Sequence, residues 1–347
     1  MRELLADTVE RILADLCTPA IVRAAEEGAW PAALWRRIEE AGLPVALAPE
    51  RDGGAGLGWR DVSPVLVAAG RHAAPVPLGE AIAAHALVAA AGSALPEGVP
   101  TLALFEGAPN RARSRWSVRA RSVPYARNAT WVVGTLAGDD PRQSTELLVM
   151  KTADAAVAPG PQLAGEGRCD LAWSEAEPAL RAPLAGGPSA LEVGAALRSA
   201  QIAGGIARLL ALAVQYAGER KQFGKPIGKF QAIQQQLAVL GELAAAAAMA
   251  AELAHDADGL APDPVRVACA KARTSEAAAA AAAIAHAVHG AIGVTQEHAL
   301  QLYTRRLWGW RLDFGSEAYW TGVIGRGVLG ADGPAWQQIL DASSARA

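Results

Sequence analysis

The chain has 347 residues, two to three times the size of one ordinary domain. Hydrophobic residues make up 52% and charged residues 19%, which supplies a large core and excludes intrinsic disorder or a disulfide-stapled miniprotein. Lys and Arg number 32 against 35 Asp and Glu, a formal net charge of −3, so no global field draws the chain to nucleic acid or anionic lipid. Cys17, Cys169 and Cys269 fit neither a zinc pattern nor a disulfide framework, and a reducing cytoplasm is the expected location.

Residues 1 to about 98 read as amphipathic helices. Leu4, Leu5, Val9, Ile12, Leu13 and Leu16 recur at helical spacing, and a glycine-rich turn runs from Arg51 to Gly58. Glu3, Asp7, Glu10 and Asp15 exclude a signal peptide. Residues 101–185 lose the helical period. Short apolar runs at Thr101–Phe105, Thr130–Gly134 and Glu146–Met150 predict an antiparallel β unit, and the alternation of Arg113, Arg115, Arg119 and Arg121 predicts strands with a solvated face.

From Pro188 the helical period returns. Ser189 and Glu192 form a capping box, and a helix is predicted through Ile202, Ile206, Leu209, Leu210 and Val214 to about Glu219. A second follows Gln231 and ends near Asp258-Gly259. A third starts at Asp263-Pro264 and ends at Gly290, and a fourth spans about Ser316 to Gly330. Four long helices with short connections predict an antiparallel bundle. The alanine runs Ala244–Ala251 and Ala277–Ala285 fall short of the ~20 residues that span a bilayer, so no membrane span is expected.

The segment Tyr216 to Gln231 carries the most information. A helix ends in cations, turns through Gly224 and Pro226, and restarts at Phe230-Gln231. Arg220 offers a planar fork suited to a pyrophosphate, and Phe223 and Phe230 offer flat apolar surfaces suited to an adenine or flavin ring. Cations at a helix C-terminus also simply complement its dipole. The segment closely resembles the Y-A-x-x-R-x-Q-F-G-x-P-I-x-x-F-Q-x-I-Q signature of the acyl-CoA dehydrogenase family. Gly42-Leu43-Pro44 through Gly58 is similar to a second family segment, and Val288 to His298, followed by Leu302 to Arg306, resembles the H-G-G-x-G-x-T-x-E-H segment of the bacterial FadE-like branch.

The resemblance implies an α+β, mostly α fold. Residues 1–100 would form an N-terminal helical domain, 101–187 a middle antiparallel β domain and 188–347 a C-terminal four-helix bundle. It implies FAD bound between the subunits of a dimer or tetramer (a dimer of dimers), whether homo- or hetero-oligomeric. By position, Arg220, Gln222, Phe223, Phe230 and Gln231 would meet the adenosine-diphosphate part of FAD, with Gly290 and Ala291 near the same pyrophosphate. The implied reaction is removal of an α-proton from an acyl-CoA by a carboxylate and passage of the β-hydride to flavin. Electrons would then leave to an electron-transfer flavoprotein.

The departures from the pattern fall on catalysis. The usual base position counts to Phe314, with Asp313 adjacent, and the alternative position on the first bundle helix counts to Gly194. Glu192 is explained by its capping role, and Gln201, where the bacterial branch often has Glu, is an amide. No catalytic residue is therefore assigned. The flavin-contacting T-E-P-x-x-G-S stretch is also missing; Phe105 to Pro109 stands there. This imbalance resembles heteromeric acyl-CoA dehydrogenases of bacterial steroid and cyclic-acid breakdown, in which one subunit supplies the base and the other completes the FAD site. Two alternatives to a self-sufficient dehydrogenase stay open: such a non-catalytic subunit, and a flavin monooxygenase on the same fold.

Weaker signals have plain readings. His286, His289 and His298 cluster near the glycine turn without a metal-ligand pattern, so no metal is expected. Trp308, Trp310 and Trp320 suit a core or subunit interface as well as an acyl pocket. Arg111, Arg113, Arg115, Arg119, Arg121 and Arg127 suit a solvated strand face as well as a CoA phosphate or redox partner.

Overall fold

The computed structural model describes residues 1–110, 115–136, 146–184, 187–257, 259–330, 333–334 and 336–337. Arg111, Arg113 and Asp258, named above, lie outside them. Five helices come first: α1 (Arg2–Leu16), α2 (Pro19–Glu26), α3 (Ala32–Glu40), α4 (Trp59–Arg71) and α5 (Leu78–Ala90). Thr18 caps α2, and Val9, Ile12 and Leu13 form the buried stripe of α1, whereas Leu4 faces solvent. Helix α5 is buried almost all round, which is why its sequence is apolar on every face.

Among the described residues, seven strands follow and form one sheet: β1 (Pro100–Asn110), β2 (Arg115–Val123), β3 (Trp131–Leu136), β4 (Glu146–Lys151), β5 (Ala156–Pro159), β6 (Cys169–Ala176) and β7 (Leu180–Pro183), in the order β5-β6-β2-β1-β3-β4-β7. Along β2, exposed arginines alternate with buried Trp116, Val118 and Ala120, the expected two-residue period. All neighbours are antiparallel except β1 and β3, which pair in parallel from Pro100↔Trp131 to Phe105↔Leu136. The excursion through β2 between them supplies the crossover that a parallel pair needs.

The remaining α-helices among the described residues are α6 (Ala190–Glu219), α7 (Gln231–His255), α8 (Pro264–His289), α9 (Leu300–Trp310) and α10 (Glu317–Gly330), with a short hairpin of β8 (Lys221–Gln222) and β9 (Lys225–Pro226) between α6 and α7. The capping box forms as read: Glu192 N–H donates to Ser189 Oγ and Ser189 N–H to Glu192 Oε2, both at 3.2 Å. Asp263 accepts from the backbone of Val265 and Arg266. The four anticipated long helices are joined by α9, an extra three-turn helix whose Leu302, Tyr303, Leu307 and Trp310 are buried.

Helices α6, α7 and α8 with its extension to Val294 are each long and apolar enough, by length and composition alone, to cross a membrane. That corrects the length argument drawn from the alanine runs, because Leu, Ile and Val extend the apolar stretch beyond the alanines. Helix α6 buries Arg198 and Glu192 and packs against α4, α7 and α8. It crosses α4 at two glycines. A Cβ on Gly70 would overlap the Gln201 carbonyl, and one on Gly204 would overlap the Val67 carbonyl. Backbone on both sides leaves no side chain free to yield. Gly204→Ala is therefore expected to destabilise the fold by about 1–3 kcal/mol, read as a lower urea midpoint; an unchanged midpoint would show that the crossing adjusts freely.

Candidate functional site

The signature residues gather at one end of the bundle. Helix α6 ends at Arg220, whose N–H donates to Tyr216 O and whose carbonyl accepts from Ile227 N–H at 2.8 Å. Gln222 and Lys225 pair across a two-residue turn of Phe223 and Gly224, at φ +51° and +78°. Such a turn needs left-handed backbone at both central positions, a conformation that costs a phenylalanine about 1 kcal/mol. The strained turn holds Phe223 91% exposed. Its ring meets Phe230 edge-on at 6.1 Å, and Lys225 Nζ stands 4.4 Å from the Phe230 centroid. Arg220, Gln222 and Gln231 are exposed.

The glycine turn adjoins this end. Tyr216 stacks on His289 at 4.7 Å, and His298 meets the other neighbourhood of the same imidazole at 4.8 Å. His289 Nδ1–H donates to Ala285 O at 2.7 Å, while Nε2 is buried without a hydrogen bond among the described residues. Burial lowers the pKa of His289. His286 and His298 are lowered by burial first and then by the neighbouring imidazoles. Gly290 follows at φ +62°, ψ −142°, a conformation open essentially to glycine alone, and a Cβ there would meet only open space. Ala291 is exposed beside it. No cluster of three or more metal-ligating side chains occurs among the described residues.

The two base positions counted from sequence meet at a second place. The loop between α9 and α10 carries Phe314 at φ +51°, and a Cβ on Gly194 of α6 would overlap its ring. Neither position bears a carboxylate. Lys271 of α8, fully buried, donates from Nζ to Ser275 Oγ at 2.9 Å, Arg311 O at 3.0 Å and Gly315 O at 2.8 Å. Trp320 Nε1–H donates to Phe314 O at 2.9 Å. Burial pushes the Lys271 ammonium down to about 7, partly offset by Asp313.

Asp313, next to Phe314, accepts from Arg168 Nη1 at 2.6 Å and Nη2 at 2.7 Å, and from Arg198 Nε at 2.9 Å. Burial alone would raise its carboxyl, but the two guanidiniums override it and hold it at about 2. A carboxylate so stabilised is a poor proton acceptor. Arg198 Nη1 also donates to Gln201 Oε1 at 2.5 Å, so that amide is spent inside the cluster. Trp310 and Trp320 are buried beside this loop, whereas Trp308 is 43% exposed. Lys271 and the arginine cluster were not found from sequence. Their one signal was a charge in an otherwise apolar stretch: Arg198 within α6, Lys271 within α8 and Glu80 within α5.

Comparison with known proteins agrees with this architecture. Residues 2–94 match the acyl-CoA dehydrogenase N-terminal domain, and residues 188–329 match the acyl-CoA dehydrogenase C-terminal domain. The acyl-CoA dehydrogenase IpdE2 of Mycobacterium tuberculosis is 34% identical over 89% of this chain and 91% of its own length. Among solved structures, the Tcur3481-Tcur3483 steroid ACAD variant superposes with a TM-score of 0.80 at 26% identity, covering 94% of this chain and 97% of that one. The ChsE4-ChsE5 complex from Mycobacterium tuberculosis gives 0.77 at 23%, covering 96% and 98%, a likeness of fold. With both end domains matched and a relative similar along most of its length, the chain belongs to the acyl-CoA dehydrogenase family of oxidoreductases.

Proposed function

We propose that this chain works in an FAD-dependent acyl-CoA dehydrogenase assembly, giving a dinucleotide-holding surface to an active site whose base belongs to a different subunit. The observation that carries this reading is Phe314 packed on Gly194, an aromatic ring and a bare backbone at both places where the family puts its carboxylate. The steroid ACAD pair and the ChsE4-ChsE5 complex, both two-protein assemblies by name, support the heteromeric form.

The residues present fit FAD at the bundle end. An exposed guanidinium, an aromatic ring presented at the cost of backbone strain, and open space at Gly290 are what a pyrophosphate and a planar ring need. Arg220 would pair with the pyrophosphate, Gln222 and Gln231 would hydrogen-bond around it, and Phe223 and Phe230 would cover a ring. The Gly290-Ala291 backbone would approach closely because no Cβ stands at 290. When bound, FAD would supply the hydride acceptor for α,β-dehydrogenation of an acyl-CoA thioester, with an electron-transfer flavoprotein as the onward acceptor. At the other end, Phe314 would border the acyl site, and Asp313, gripped by its guanidiniums, would move no proton.

The test uses the chain alone, supplied with FAD, in an anaerobic dye-coupled assay against a range of acyl-CoA thioesters. No turnover is expected without a partner. Robust turnover would end the partner-subunit reading and leave family membership untouched.

A further inference from the structure

The most deeply buried charges join four parts of the chain. Glu80 of α5, Glu166 ahead of β6 and Asp313 between α9 and α10 share the guanidiniums of Arg198 on α6 and Arg168 ahead of β6. Two of the carboxylates are well served. Asp313 takes the three bonds described above, and Glu166 accepts from Arg168 Nη2 and from Trp310 Nε1 at 2.5 Å. Glu80 differs. One of its oxygens lies 2.8 Å from Arg198 Nη2, yet neither oxygen, nor that Nη2, has a hydrogen bond among the described residues. Its side chain is 0% exposed, so water does not serve it from the surface.

The charge balance explains the difference. Two guanidiniums match two carboxylates, and the third acid is in excess. Lys271, the next cation, spends its three N–H donors on Ser275 Oγ and two loop carbonyls. An ionised carboxylate buried without hydrogen bonds costs several kcal/mol and takes up a proton instead. We infer that Glu80 carries a proton in the folded chain, and that its neutral form acts as a positioning residue, leaving Arg198 to hold Asp313 and with it the loop that sets Phe314 on Gly194.

The charged groups around Glu80 come from several elements. Arg198 faces it from α6, Glu166 and Arg168 from the segment ahead of β6 and Tyr125 from the turn after β2, while Asp313 of the α9–α10 loop shares Arg198 with it and has Lys271 of α8 nearby. Burial is the main cause raising the Glu80 carboxyl and Glu166 reinforces it, against the pull of Arg198, its own backbone amide and Arg168. Were the proton lost, a second anion would compete with Asp313 for the same guanidinium. The inference does not depend on the flavin reading, so the two can fail separately.

The sign of the pH effect follows. In the unfolded chain Glu80 would lose its proton near an ordinary glutamate value of about 4.3, while the folded chain retains it. Stability contributed by Glu80 therefore falls as pH rises above that value toward the raised one. Glu80→Gln, which mimics the neutral acid, should remove this slope. Its melting temperature should match wild type near pH 5 and stand about 2–4 °C above it near pH 8. Lys271 and the buried histidines are common to both proteins, so the difference isolates Glu80. Glu80→Met, neutral and of similar length, is also expected to fold. Infrared difference spectra should show a protonated-carboxyl stretch at neutral pH in wild type that Glu80→Gln lacks. The inference is overturned if both variants fail to fold, if Glu80→Gln is less stable than wild type at every pH, or if the protonated-carboxyl band is absent.

Discussion

Asp313→Ala is expected to cost about 3–5 kcal/mol of folding stability, because it removes the carboxylate that two buried guanidiniums share and leaves Glu166 as their one well-bonded carboxylate. The Arg168 side chain is 4% exposed and the Arg198 side chain 0%, so neither can turn to water when the carboxylate goes. The measurement is urea unfolding followed by the buried tryptophans, Trp310 among them. A loss under about 1 kcal/mol, the range of exposed pairs, would show that the cluster contributes little. Acid should reproduce part of the effect. The Asp313 carboxyl is held at about 2, below the unfolded value of about 3.9. Its stabilisation is therefore fully present above the unfolded value and is lost as pH falls through the folded one.

Arg220→Met should weaken flavin retention by the assembled protein about 10–100-fold, the worth of a charge-assisted hydrogen bond. Because Arg220 is exposed and, among the described residues, only its backbone bonds within the chain, the flavin-free protein should melt as wild type does. Arg220→Lys should recover affinity only in part, since an ammonium cannot reproduce a two-pronged contact. Flavin release followed by fluorescence decides the matter. Retained flavin in Arg220→Met would remove this residue from the proposed site, whatever the assembly's partner.

How much of this was legible beforehand depended on whether the signal was local. The Ser189 and Asp263 caps, the alternation along β2 and the glycine-rich turns are set by neighbours within four residues, and they read directly. The parallel β1–β3 pair was missed because it is decided by a crossover, not by either strand's own pattern. Helix α9 was merged with the motif ahead of it, since Leu302 to Arg306 reads equally as part of a loop segment. The Glu80–Arg198–Asp313 cluster was out of reach. Its members lie more than one hundred positions apart, and only the fold makes their charges neighbours. For the signature residues the gain was one of proximity: Tyr216 on His289 ties Arg220 and Gly290 to the same end of the bundle.

The overlap between a Cβ at position 194 and the ring at 314 has a consequence for descent. One small volume can hold the side chain of the helix or that of the loop, never both. A glutamate introduced at 194 would collide with Phe314, and one introduced at 314 would lie near Arg198, whose guanidinium stands 6.0 Å from the ring there and would hold a carboxylate ionised. Recovering a proton acceptor at 194 thus takes two coordinated changes, removal of the ring at 314 as well as the new carboxylate.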